Sequence, residues 1–247
     1  VFFNIIIYFQ KIIMEKFDKN IFYKFKKKFN INENPAKNDL FLLEKTKKYI
    51  KYISFLPLRF VVNSVMNYSN KNSDIDLFII TTPNSLWFNR IIITFIFEIL
   101  KVRKTHKKHA MFCLSFFITT NRLDFKNIKI ENDIYLYFWI IYLKPILDYN
   151  NTFDLFINSQ SWCDLNEYKN IILENKKYIK YKKNLKNPIF VNFLDKVFKN
   201  IFIKKTMKNY EKLKPYIIIE DNILKFHNQD IRKKLFYKKF QIIKDMV

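Results

Sequence analysis

The chain predicts an α+β fold, a small mixed sheet with helices packed on it, followed by a mostly helical C-terminal region. Three observations carry this. Apolar runs at residues 58–64, 75–81 and 110–119 have the length of strands. Longer stretches with apolar residues at helical spacing lie before, between and after them. The order is helices, strand, strand, helix, strand, then mostly helices, which lacks the steady alternation of a long doubly wound sheet.

The elements follow in order. Residues 10–30 are basic and set Phe17, Ile21, Phe25 and Phe29 at helical spacing. Residues 39–54 continue with Leu40, Leu43, Tyr49, Ile50 and Ile53 on one side, so both stretches predict amphipathic helices. Pro57 interrupts, and LRFVVNS (58–64) predicts a buried strand ending in a polar turn. IDLFIIT (75–81) predicts a second strand of the same kind. The run at 84–103, with Asn84 or Ser85 as its cap, is long enough for a largely buried helix, and Trp87 on it is a core residue. KTHKKH (104–109) is a basic loop, and AMFCLSFFIT (110–119) is a third strand. Asp133 caps a helix carrying Trp139, which runs to about Leu143 and is stopped by Pro145. Helical patterns return at 152–159 and 165–183, and Pro188 opens another to about 213. Pro215 starts an extended piece with a turn at 220–222, and a basic helix covers 229–244. The chain thus divides into a helical N-terminal segment (1–55), a core (56–150) and a helical C-terminal region with a short hairpin (151–247).

Composition sets limits on function. Of 247 residues, 49% are apolar and 19% aromatic, which excludes a disordered chain. The net charge is +23, yet among the 45 basic residues only five are arginine, and glycine is absent. Inflated Phe, Tyr, Ile, Asn and Lys are what AT-rich coding produces, so charge alone does not decide for a nucleic-acid partner. Without glycine, positive-φ positions fall to Asn and Asp, which predicts turns at 32–39, 67–74 and 149–151. Cys113 and Cys163 have no metal or disulfide spacing and fit a reducing, cytoplasmic setting. No run reaches the ~20 apolar residues of a transmembrane segment. The opening VFFNIIIYF is broken by Asn4 and lacks signal-peptide flanks, so residues 1–13 are either an extension ahead of Met14 or a first core element.

The most informative stretch is NSVMNYSNKNSDIDLFIITT (63–82). Asp74 and Asp76 stand two apart at the head of a strand, so they share a face. Like charges so placed repel unless a cation or solvent separates them. Two carboxylates suit Mg²⁺, which takes oxygen ligands and completes its shell with water and phosphate. Nine residues upstream, the Asn63–Ser64 turn can offer backbone N–H groups and a hydroxyl to a phosphate. Ser73 can brace Asp74. The plainer alternative is a solvated strand start.

This stretch resembles the signature of the polymerase-beta-like nucleotidyltransferase superfamily: an apolar strand, Gly-Ser, about ten residues, then Asp-x-Asp among apolar residues. Ser64 matches the serine, and Asp74 and Asp76 match the aspartates. TTPNSLWFNR (81–90), FCLSFFIT (112–119), YLKPILDY (142–149) and ILKFHNQDIR (223–232) are similar to a branch of stand-alone bacterial and archaeal nucleotidyltransferase-domain proteins. The resemblance implies a nucleotidyltransferase-type sheet in the core. It also implies an NTP held by Asn63, Ser64 and Ser73, and catalytic Mg²⁺ held by Asp74 and Asp76, two ions in an active enzyme. Two departures stand out. Asn63 replaces the family's glycine, and the strand expected to bring a third carboxylate offers Ser115, the nearest acid being Asp124 beyond its end.

Three readings follow. The first is a metal-dependent transfer of a nucleoside monophosphate from an NTP to an acceptor that the sequence does not name, RNA being one candidate. The second is a catalytically lapsed member that binds nucleotide or RNA. The third is a membrane-surface protein using the basic N-terminal helices. His106 with His109 read as a solvated loop, as do Lys104, Lys107 and Lys108, and His227 and Arg232 are secondary candidates beside a helix N-terminus.

Overall fold

The computed structural model describes residue 27 and residues 35–63, 69, 73–106, 108–130, 133–181, 189–210 and 217–226. The expected helices at 10–30 and 229–244, together with Ser64, Lys107, His227 and Arg232, lie outside the described residues apart from residue 27.

The first described helix, α1 (Lys37–Ile50), begins after Pro35, where the Asp39 carboxylate accepts the Ala36 N–H at 2.8 Å. Strands β1 (Leu58–Asn63) and β2 (Ile75–Thr81) follow, then α2 (Leu86–Ile99) and β3 (Phe112–Thr119). Next come α3 (Ile134–Ile141), β4 (Lys144–Asp148), α4 (Thr152–Asn158), α5 (Lys169–Asn175) and α6 (Ile189–Tyr210). A hairpin of β5 (Ile217–Glu220) and β6 (Ile223–Phe226) closes the described chain. Among the described residues the strands form one six-stranded mixed sheet, in the order β4-β1-β2-β3-β6-β5. Only the β2–β3 pairing is parallel.

Both faces of this sheet are covered. Side chains alternate along each strand, so Val61, Leu77, Ile79 and Phe117 join one core with α1, α2 and Val191 of α6. Phe60, Val62, Phe78, Ile80 and Phe116 join the other, with α3, α4 and Ile172 of α5. Central strands buried on both faces read as continuous apolar runs, which is how β1 and β2 appear in the sequence. The chain is α+β as expected.

Three elements differ from expectation. The helix ends before Pro145 as expected, but the residues from Lys144 form β4, a strand for which the sequence predicts no element. A proline lacks the N–H that a ladder needs, and β4 tolerates one because it is an edge strand with a bulge between the Val61↔Leu147 and Val62↔Pro145 pairs. The hairpin, expected within the C-terminal region, adds to the core sheet through the β3–β6 pairing. Residues 165–183 are not one helix: 3₁₀ turns at Asn166–Tyr168 and Lys176–Tyr178 flank α5.

The absence of glycine is met as the sequence predicts at one turn: Asn150 and Asn151, before α4, both take positive φ. A second device joins distant parts. The start of α2 has backbone N–H groups with no intrahelical acceptor. Asp195 of α6 supplies one, accepting the Phe88 N–H at 2.8 Å.

Candidate functional site

Strand directions gather the site. β1 is antiparallel to β2 and β4, while β3 is parallel to β2. The end of β1 (Asn63) therefore lies at the same edge of the sheet as the starts of β2 (Asp74 and Asp76), β3 (Cys113) and β4 (Lys144). The register confirms it, with Asn63 opposite both Leu77 and Lys144, and Asp76 opposite Cys113.

Asp74 immediately precedes β2 and is half-buried. Its carboxylate holds the Lys104 ammonium at 2.5 Å. Lys104 comes from the 3₁₀ turn Lys104–His106 just before β3. Asp76 is open to solvent at the strand surface, yet protein atoms crowd it on most sides. The lost hydration raises its pKa above the usual carboxylate value, against the lowering effects of a hydrogen bond with the Cys113 thiol and of the Lys104 charge, while Asp74 adds to the rise. The two acids thus feel each other and share one cation, the ammonium of Lys104.

The thiol of Cys113 contacts both Asp76 and Ser115. Burial, followed by the charge of Asp76, pushes it up to about 12, so it stays protonated. A bulge places it there. Between the Asp76↔Cys113 and Phe78↔Phe116 pairs, β2 has one residue and β3 has two, Leu114 and Ser115. Bulges of this kind re-aim side chains and are frequent beside active sites.

Asn63 behaves differently from the sequence expectation. It is the fully buried last residue of β1, in extended conformation rather than at positive φ. Its amide donates to Thr46 Oγ1 at 2.9 Å, and that hydroxyl donates to the Leu42 carbonyl. The side chain so fastens β1 to α1, on the face opposite the acids. Ser73 sits half-buried directly before Asp74, and Ser64 is outside the described residues. Asp124 is not a third acid. It follows the far end of the eight-residue β3, on the order of 25 Å from Asp76 at strand rise. There it accepts from Ser161 Oγ at 2.6 Å.

Lys144 is the residue that sequence reasoning missed. It heads β4 with 1% of its surface exposed, and its ammonium donates to the Tyr142 carbonyl at 3.3 Å. Burial pushes its pKa down to about 8, opposed by the nearby Asp39 carboxylate. A lone lysine inside the apolar stretch IIYLKPIL was the signal. His106 Nε2 lies 3.0 Å from the Glu98 carboxylate, beside the Arg103–Glu98 pair and away from the acids.

Two neighbouring carboxylates, one half-buried and one exposed, are a donor set that fits one hard divalent ion whose remaining ligands are water and phosphate. They do not by themselves fit two ions: among the described residues no group of three or more His, Cys, Asp or Glu is placed to hold a metal. Comparison of the chain with protein-family models, with curated proteins and with solved structures finds no match.

Proposed function

We propose that the chain has a nucleotidyltransferase-type sheet and binds a nucleoside triphosphate with one Mg²⁺ at Asp74 and Asp76, for transfer of the nucleoside monophosphate to an acceptor. The observation that carries this reading is the convergence of Asp74 and Asp76 with the end of β1 at one sheet edge. In that arrangement a cation between the acids lies near the end of β1. Mg²⁺, when bound, would neutralise triphosphate charge and align the α-phosphorus for attack. Lys104 balances the acids in the ligand-free chain. Its side chain is 63% exposed, so it can rotate from Asp74 to a phosphate oxygen as the metal enters. No side chain is assigned as general base.

One observation favours a second reading. The strand expected to bring a third carboxylate has none near Asp76: Cys113, opposite it, keeps its proton, and Ser115 is a hydroxyl. A lapsed member of the superfamily, binding nucleotide or RNA without transfer, accounts for that. Nucleotide binding is common to both readings.

The experiment has two arms. A fluorescent NTP should bind in the presence of Mg²⁺, and Asp76→Asn should weaken it by more than the roughly tenfold that loss of a mere outer-shell partner of a metal ligand costs, because one of two Mg²⁺ carboxylates is removed. Equal binding by the two proteins would refute the site. Label from the α-phosphate of an NTP, followed onto RNA and small-molecule acceptors, should then move with the wild type and not with the variant. Binding without transfer selects the lapsed reading.

A further inference from the structure

Helix α6 has two unlike faces. Its inner face packs on α2: Val191 is buried, Phe198 stacks on Phe88 at 6.1 Å between ring centres, and Asp195 caps the start of α2. With 3.6 residues per turn, Phe190, Phe193, Val197, Ile201, Lys204 and Lys208 lie along the opposite side. Phe190 is 60% exposed, Phe193 69% and Ile201 59%, so the aromatic and aliphatic side chains there face water. Lys196, Lys204, Lys205 and Lys208 are exposed around and beyond them.

The charges on this helix are one-sided. Its single acid, Asp195, is turned inward, and Lys199 is engaged by Asp221 of the hairpin turn. The outer face therefore carries cations and apolar groups and no anion. Apolar residues occupy its first half, and lysines gather towards its C-terminal end. A 22-residue helix is roughly 33 Å long, so this is an extended surface rather than a spot. Among the described residues no helix is long and apolar enough to cross a membrane, so such a face would lie along a bilayer instead.

We infer that the outer face of α6 docks on an anionic lipid surface, with Phe190, Phe193 and Ile201 entering the headgroup boundary and Lys204, Lys205 and Lys208 meeting lipid phosphates. A helix face that presents apolar side chains together with lysines can partition to an interface through buried apolar area plus attraction to anionic lipid. Each lysine near such a surface adds its own attraction, which salt screens. A nucleic-acid surface fits less well. Single strands need rings spaced along a basic groove, whereas Phe190 and Phe193 lie at one end of the face and Lys204, Lys205 and Lys208 at the other, with Ile201 between. This inference stands apart from the nucleotide reading.

The test is co-sedimentation of the full chain with vesicles of phosphatidylcholine alone and of equal parts phosphatidylcholine and phosphatidylglycerol. The chain should pellet with the anionic vesicles and stay in solution with the neutral ones. Phe190→Ser with Phe193→Ser should weaken partitioning about tenfold or more, and Lys204→Glu with Lys208→Glu should do the same and flatten its salt dependence. All four positions are exposed, so thermal melting should be unchanged and would show that each variant folds. Failure to pellet with anionic vesicles overturns the inference. So does pelleting that ignores both double substitutions, since another surface would then be responsible. A dimer in light scattering that the phenylalanine substitutions dissociate also overturns it, because the face would then serve a second copy of the chain.

Discussion

Phe78→Ala is expected to lower the stability of the protein by about 3–5 kcal/mol, the range for a large aromatic removed from a packed core. Phe78 is fully buried on β2, one of the two innermost strands of the sheet. Its ring lies 4.9 Å from Phe116, 5.1 Å from Trp139, 5.4 Å from Phe156, 5.8 Å from Phe125 and 6.2 Å from Phe60. These rings come from β1, β3, α3, α4 and the segment after β3, so the cavity left by alanine opens between all of them. The surrounding elements are tied to the sheet and cannot close in on it. Phe95→Ala, on the solvent side of α2 with 61% of its surface exposed, should change stability by less than about 0.5 kcal/mol. Urea titration of the two variants checks the contrast. A loss below about 1 kcal/mol for Phe78→Ala would mean that the aromatic cluster is not a single packed unit.

Lys144→Met should stabilise the protein near neutral pH and remove a rise in stability between pH 8 and 10.5. The native pKa of Lys144, about 8, lies below the ordinary lysine value of 10.5 because the charged form is buried. Between those values the unfolded chain holds a proton that the native chain has released. Native stability therefore increases with pH across that window, and the cost of the buried charge is fully present below pH 8. At about 1.4 kcal/mol per pH unit the cost is of order 3 kcal/mol. Methionine keeps the length of the side chain without its charge. Asp39 is not orphaned by the change, since it still accepts N–H groups of Ala36 at 2.8 Å and Ser69 at 3.0 Å. The expected gain at pH 7 is about 1–3 kcal/mol, as for other buried ionic groups replaced by apolar ones, and it should vanish by pH 10.5. A variant less stable than wild type at pH 7 would show that the attraction to Asp39 outweighs the cost of burial.

Much of the local structure is written in short-range pattern. β2 starts and ends where the run IDLFIIT does, because residues buried on both faces leave an unbroken apolar signature. Asn150 and Asn151 took a left-handed turn as expected of a chain without glycine, whereas Lys101 and Ala110 also stand at positive φ, against the expectation that Asn and Asp would hold all such positions. What failed was decided by partners far along the chain. β4 looked like a helix terminus because Pro145 ends helices and permits edge strands alike, and only its pairing with β1 separates the two. The attachment of the hairpin beside β3 has no local sign at all, since its alternation would suit any sheet edge.

The site divides in the same way. Two acids at a strand head were legible from alternation. Lys104 had been read as part of a solvated basic loop, and its closure on Asp74 spans thirty positions of chain. Cys113 beside Asp76 depends on the β3 bulge, which no period reveals. Asn63 was expected to shape a phosphate turn, and its buried hydrogen bond to Thr46 instead makes it an anchor of β1.

The central claim is that Asp74 and Asp76 act together on one divalent ion, and Mn²⁺ titration followed by electron paramagnetic resonance addresses it most directly. Wild-type protein should take up one equivalent of Mn²⁺ in the presence of NTP. Asp76→Asn should lose that uptake, and Lys104→Met, which removes the ammonium paired with Asp74, should bind the ion more tightly than wild type does when NTP is left out. Uptake that is the same in all three proteins, or absent from all three, would contradict the account.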